Sequence, residues 1–149
     1  MASPLTVRDA ERIASVLGGQ LVTGDNNWSI EQRNGSGALE QLVTIYPHLQ
    51  TPDGELTLIA VQSRHGFLQL FGCSDYVIVE PDEVLFVARS NERASCLLVG
   101  AGRTSTMYAD IPLQILRVRI DTLDPALLLA VMQLSLAEHV LLAEPNGST

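Results

Sequence analysis

The sequence predicts an α+β protein: an N-terminal amphipathic helix, a mostly antiparallel curved sheet in meander order, and a long apolar C-terminal helix packed on it. Three observations carry this. Val7, Ala10, Ile13, Ala14 and Leu17 recur at helical spacing on one stripe, with Arg8, Glu11, Arg12 and Ser15 on the other. From Gln20 onward, apolar runs alternate with Gly-, Pro-, Asn- and Asp-rich turns about 8–12 residues apart, the rhythm of hairpins and not of βαβ units. Residues 125–137 contain no charge at all.

Thr6 is placed to cap the first helix, with Asp9 three residues on as the reciprocal partner and Leu5 as the staple. Gly18 and Gly19 stop it, because a left-handed residue costs glycine nothing. Strands are expected over 20–23 and 28–32, joined across Gly24, Asp25, Asn26 and Asn27. The turn at Asn34, Gly35, Ser36 and Gly37 leads to strands over 39–46 and 55–62, linked by Thr51, Pro52, Asp53 and Gly54. The apolar run 67–71 is too short to assign by period alone. Strands over 76–79 and 84–88 flank Glu80, Pro81, Asp82 and Glu83; residues 91–94 have room for one helical turn. Strands over 95–99 and 113–120 complete a set of about six to eight.

Asp124 caps the last helix and Pro125 suits its first turn. On a wheel, Leu127, Val131 and Leu134 share one face and Leu128 and Met132 a second. Leu129, Leu136 and Val140 share a third. Such a helix must be covered on more than one side. One face fits the sheet, and the others fit a symmetry mate, so a homodimer is expected through Leu128, Met132, Leu129, Leu136 and Val140. Residues 1–143 read as one α+β domain and 144–149 as a disordered tail. Both an open sheet and a partly closed barrel fit the element order.

Composition narrows function by exclusion. The chain has 149 residues, 46% of them hydrophobic, and a formal charge of −8. That balance speaks against nucleic acid and anionic membranes as partners. All nine basic residues are arginine, so no lysine is available for a Schiff base or a phosphate loop. The start of the chain lacks a secretory pattern, and the apolar run near its end is shorter than the about 20 residues a membrane span needs. A cytoplasmic location is the expectation. Cys73 and Cys96 read as core thiols; a disulfide between them is allowed on count alone.

Candidate sites are few. Val99, Gly100, Ala101 and Gly102 imitate the start of a dinucleotide fingerprint, yet no helix follows to present its N-terminus to a pyrophosphate. A hairpin turn is the better reading; the weaker one is an anion held by Gly100, Gly102 and Arg103. Arg64 and His65 share a loop, and acid–base chemistry there would need a carboxylate that the sequence does not assign. Arg117 and Arg119, two apart on an expected strand, point one way and suit a carboxylate on a partner. His48, His65, His139 and the cysteines lack zinc spacing, and residues 80–83 lack the calcium-loop pattern. No cofactor or metal is therefore expected.

Three readings follow. The first is a non-enzymatic protein-interaction module, a homodimeric adaptor or assembly-chaperone-like protein that binds another protein. The second is a barrel-like binder of a hydrophobic small molecule. The third is an enzyme using Arg64 and His65. Helix–meander–helix order also occurs in secretion-chaperone-like dimers, a likeness of layout with no residue motif behind it.

Overall fold

A computed structural model describes residues 5–64, 66–79, 81–90 and 93–112. Helix α1 spans Val7–Leu17 and has both halves of the capping box. The Thr6 amide donates to Asp9 Oδ2 at 2.8 Å and the Asp9 amide donates back to Thr6 Oγ1 at 3.4 Å. Gly18, at φ 63°, ends the helix in the left-handed cap expected of it. Ala10, Ile13, Ala14 and Leu17 are buried, the stripe that the spacing picks out.

Among the described residues, nine strands follow in two sheets, each antiparallel and strictly sequential. The first holds β1 (Gln20–Thr23), β2 (Trp28–Arg33), β3 (Leu39–Thr51), β4 (Gly54–Ser63) and β5 (Gly66–Phe71). The second holds β6 (Asp75–Val79), β7 (Glu83–Ser90), β8 (Arg93–Gly100) and β9 (Thr104–Pro112). Hairpins at residues 24–27, 34–37 and 51–54, and between β6 and β7, lie where the turn chemistry puts them.

Four expectations need correction. The single sheet is two, because the chain leaves the first at Gly72, whose φ of 77° turns it away from β5. The amides of Gly72 and Cys73 both donate to Thr57 O, at 2.9 and 3.0 Å, which anchors the crossover. β3 runs past Pro47, expected to end it, because the pairing with β4 shifts register between Tyr46 and Leu49 and a bulge tolerates proline. Arg93 and Ala94 begin β8 and do not form a helical turn. Residues 104–112 are a strand, with Pro112 at its end, where no element is expected before the strand over 113–120. The expected strand over 113–120, the C-terminal helix and the tail lie outside the described residues.

The two sheets and α1 share one core. Ile13 and Leu17 of α1, Ile30, Val43, Ile45, Ile59, Val61 and Leu70 of the first sheet, and Val84, Phe86, Leu97 and Val99 of the second form a single buried cluster. α1 lies against β1, β2 and β7. Gly19 follows the helix so closely that a Cβ there would sit 2.5 Å from Ile30 Cγ2 and 3.0 Å from Glu31 O. Ile30 is fully buried and cannot retreat. Gly19→Ala is therefore expected to cost about 1–3 kcal/mol of stability through overpacking. Urea denaturation checks this, and an unchanged midpoint would show that β2 can give way.

Asp9 also ties α1 to the second sheet. Its carboxylate accepts from the Tyr76 hydroxyl at 2.6 Å. Partial burial pushes the Asp9 carboxyl up, but hydrogen bonds from Tyr76 and Thr6 and the nearby Arg12 outweigh it, leaving the group below its ordinary value. In acid the unfolded chain then binds this proton first, so the stabilisation is complete above the unfolded value and fades as pH falls through the folded one. Asp9→Asn is expected to lose about 1 kcal/mol at pH 7, the worth of a cap. It should also flatten the acid limb of stability against pH, measured by urea titrations at neutral and acid pH.

Candidate functional site

The most distinctive exposed feature is the outer face of the five-stranded sheet. Register places Tyr46 opposite Leu58 and Thr44 opposite Ala60 across β3 and β4. Across β4 and β5 it places Leu58 opposite Phe71 and Gln62 opposite Phe67. Because side chains alternate, all of these share the face turned away from the core cluster. Phe67 and Phe71 stand 56% and 53% exposed. Phe67, with Leu42, Tyr46, Leu58 and Ala60, borders an open groove of about 190 Å³, and Phe71 stands outside it. Thr44, Gln62 and Gln69 line it too, with the Thr44 hydroxyl 3.4 Å from that of Ser29. Large apolar side chains usually leave an outward sheet face to polar ones, and burying each phenylalanine would gain about 1.5–3 kcal/mol.

Polar groups concentrate at the opposite task, joining the sheets. Gln32 and Gln41 point into the core and are essentially unexposed. The Gln32 Nε2 donates to Leu17 O at 3.1 Å and to Gly100 O at 3.0 Å, and Gln32 Oε1 accepts from Gln41 Nε2 at 2.7 Å. Gln41 Nε2 also reaches Thr104 O at 3.3 Å. One amide pair thus links the end of α1, two strands of the first sheet and the β8–β9 hairpin of the second.

Gly100, Gly102 and Arg103 fall in that hairpin, as the turn reading has it, and β9 follows where a dinucleotide site needs a helix. The Ala101 amide donates to Asp82 O at 2.9 Å and the Arg103 amide to Gly100 O at 3.1 Å. Arg103 adopts φ 62° and turns its guanidinium inward, donating from Nη1 to Ala101 O at 2.8 Å and from Nη2 to Arg33 O. Its Nε lies 3.5 Å from Glu40 Oε1. Arg103 therefore braces the hairpin against the first sheet, and an incoming anion would compete with Glu40.

Arg64 is exposed in the β4–β5 turn. His65, Arg117, Arg119, Leu128, Leu129, Met132, Leu136 and Val140 lie outside the described residues. Elsewhere His48 Nδ1 lies 2.9 Å from Glu55 Oε2 on the β3–β4 hairpin, a surface pair. A second depression, of about 270 Å³, lies near Phe71, Gly72, Arg89 and Arg93, where Arg89 is 3.9 Å from Asp75. Among the described residues, no cluster of three or more His, Cys, Asp or Glu side chains could hold a metal, and no helix is long and apolar enough to cross a membrane. Cys73 and Cys96 are both buried and not disulfide-bonded, and desolvation pushes each thiol up to about 12.

The phenylalanine face is the feature that reading the sequence for chemistry passed over. Its signal was present: Phe67, Leu68, Leu70 and Phe71 make β5 apolar on both faces. No family model, curated protein or solved structure matches the chain.

Proposed function

We propose that this chain is a non-enzymatic protein-interaction module, a homodimeric adaptor or assembly-chaperone-like protein acting in the cytoplasm. The observation that supports it most is the pair of half-exposed phenylalanines on the outer sheet face, Phe67 of them bordering a groove. At about 190 Å³ the groove is smaller than the about 300–1,000 Å³ of a small-molecule site, while its open form and mixed lining of leucines, Phe67, Thr44, Gln62 and Gln69 suit side chains from another protein. The barrel-binder reading has less support, because Phe86, Leu97, Ile59 and Leu17 fill the space between the sheets. The homodimer contact we propose is through Leu128, Leu129, Met132, Leu136 and Val140, which lie outside the described residues.

Light scattering on the whole chain at micromolar concentration tests the dimer: the expected mass is twice 16.1 kDa. A monomer throughout would remove that half of the reading. For the surface, Phe67→Thr with Phe71→Thr keeps strand-forming residues and is expected to change stability by less than about 1 kcal/mol. Partner co-purification from the native host should be lost. Unchanged co-purification would clear this face of the role.

A further inference from the structure

The four-stranded sheet poses a question of cover. Its inner face carries Val84, Phe86, Leu97 and Val99 against α1 and the first sheet. Alternation and the pairs Leu85 with Leu98 and Val87 with Cys96 put Leu85, Val87 and Cys96 on the other face. All three are 0% exposed, and Ala94 beside them is 2% exposed. None of the four belongs to the core cluster.

Neighbours within a sheet shield flanks and leave the top of a side chain open. The first sheet's outer face shows the difference, with Leu58, Ala60 and Thr44 at 5%, 6% and 8% and two phenylalanines above half exposed. Complete burial of three adjacent residues in an isolated chain needs a layer over them. The described neighbours of β7 and β8 are β6 and β9 beside them, and α1 and β5, which contribute to the cluster on the inner side. Residues 1–4 precede Leu5, itself in that cluster, and the undescribed internal positions are single residues or a pair. Residues 113–149 alone are long enough, and they follow directly from β9 of the same sheet. Their apolar content lies in the uncharged run 125–137. The pattern of β7 agrees independently: Val84, Leu85, Phe86, Val87 and Ala88 are apolar without alternation, as in strands covered on both faces.

We propose that the run 125–137 docks on the outer face of the four-stranded sheet of its own chain, over Leu85, Val87 and Cys96, making that sheet the middle layer of three. This stands apart from the interaction reading, which concerns the other sheet's face and whichever leucines of the run remain uncovered.

The test uses the whole chain with Cys73→Ser, which keeps a donor toward Asp75 O and leaves Cys96 as the only thiol. Single cysteines are introduced in turn by Leu127→Cys, Leu128→Cys, Leu129→Cys, Val131→Cys and Met132→Cys, sampling every face of the run, and oxidised with copper–phenanthroline. A disulfide to Cys96 within a chain of monomer mass, located by peptide mass spectrometry, is the expected result. Cross-links only between chains would place the cover on a second copy and overturn the proposal. So would the absence of any cross-link. Native alkylation of Cys96 should also quicken about tenfold or more in Leu128→Asp/Leu129→Asp, because opening of the cover exposes the thiol. A mass of one chain by light scattering would defeat the homodimer and leave this proposal standing; an interchain-only pattern would do the reverse.

Discussion

Replacing Gln32 by leucine is expected to lower stability by about 2–4 kcal/mol, although leucine is apolar and near enough in size for the site. The reason is accounting of partners. Leu17 O loses the donor that Gln32 Nε2 supplies, Gly100 O keeps only the Arg103 amide, and Gln41 Nε2 loses its Gln32 acceptor. Each buried group left without a hydrogen bond costs about 1–3 kcal/mol. Gln41 keeps Thr104 O, which moderates its share. Equilibrium urea unfolding followed by circular dichroism reads the change. A loss below about 1 kcal/mol would mean that water or a small shift replaces the amide, and that the network is not what joins the sheets.

A second substitution sharpens the point. Gln32→Glu preserves shape and one acceptor but turns the donor that faces two carbonyls into an oxygen. The resulting carboxyl is disfavoured in its charged form by burial and by those carbonyls, so its folded pKa rises. Stability of this variant should then improve as pH falls toward the carboxylate range, since a raised group contributes below its unfolded pKa and loses that contribution above it. Leucine at the same position shows no such slope. Comparing the two slopes separates a lost hydrogen bond from a shape effect.

The same glutamines show what the sequence did and did not make legible. Helix α1 could be read to the residue, because capping box, apolar stripe and glycine stop are all local. Hairpins were equally legible, since Asn34 and Gly37 carry their own turn chemistry: Asn34 Oδ1 accepts from the amides of Ser36 and Ala38. The division into two sheets was not, because a strand's pattern says which face is buried and nothing of its neighbours. Gly72 is one glycine among eleven, and only its place after β5 makes it the crossover. Gln32 and Gln41 sit two residues from Ile30 and Val43, so alternation puts both on the apolar face; reading polarity residue by residue conceals it. β9 lies ahead of the expected strand over 113–120 for a related reason, since a proline marks a strand's end as readily as the residue before its start. Of the candidate site, Arg103 stood out by type, but its inward turn onto Arg33 O and Glu40 depends on the first sheet lying beside the hairpin.

Phe86→Ala is expected to cost about 3–5 kcal/mol, the largest effect of any apolar truncation in this core. Phe86 is completely buried and heads the largest fully buried side chains; it belongs to the cluster that α1 and both sheets share. Deleting the ring removes its transfer energy and leaves a cavity that Ile13, Leu70 and Leu97, fixed on three different elements, cannot all close. The informative measurement is where the loss registers. Trp28, the only tryptophan, sits on β2 of the first sheet and packs against the cluster from there, while Phe86 sits on β7 of the second. If the shared core makes the sheets one cooperative unit, the tryptophan fluorescence midpoint in urea falls together with the circular dichroism midpoint, and the two curves coincide. A variant whose Trp28 transition stays at the parent midpoint while part of the dichroism is lost early would show two sheets that unfold separately. The Gln32 network and the Arg103 brace would then be fastenings between independent layers, and their removal would loosen the joint without unfolding either sheet.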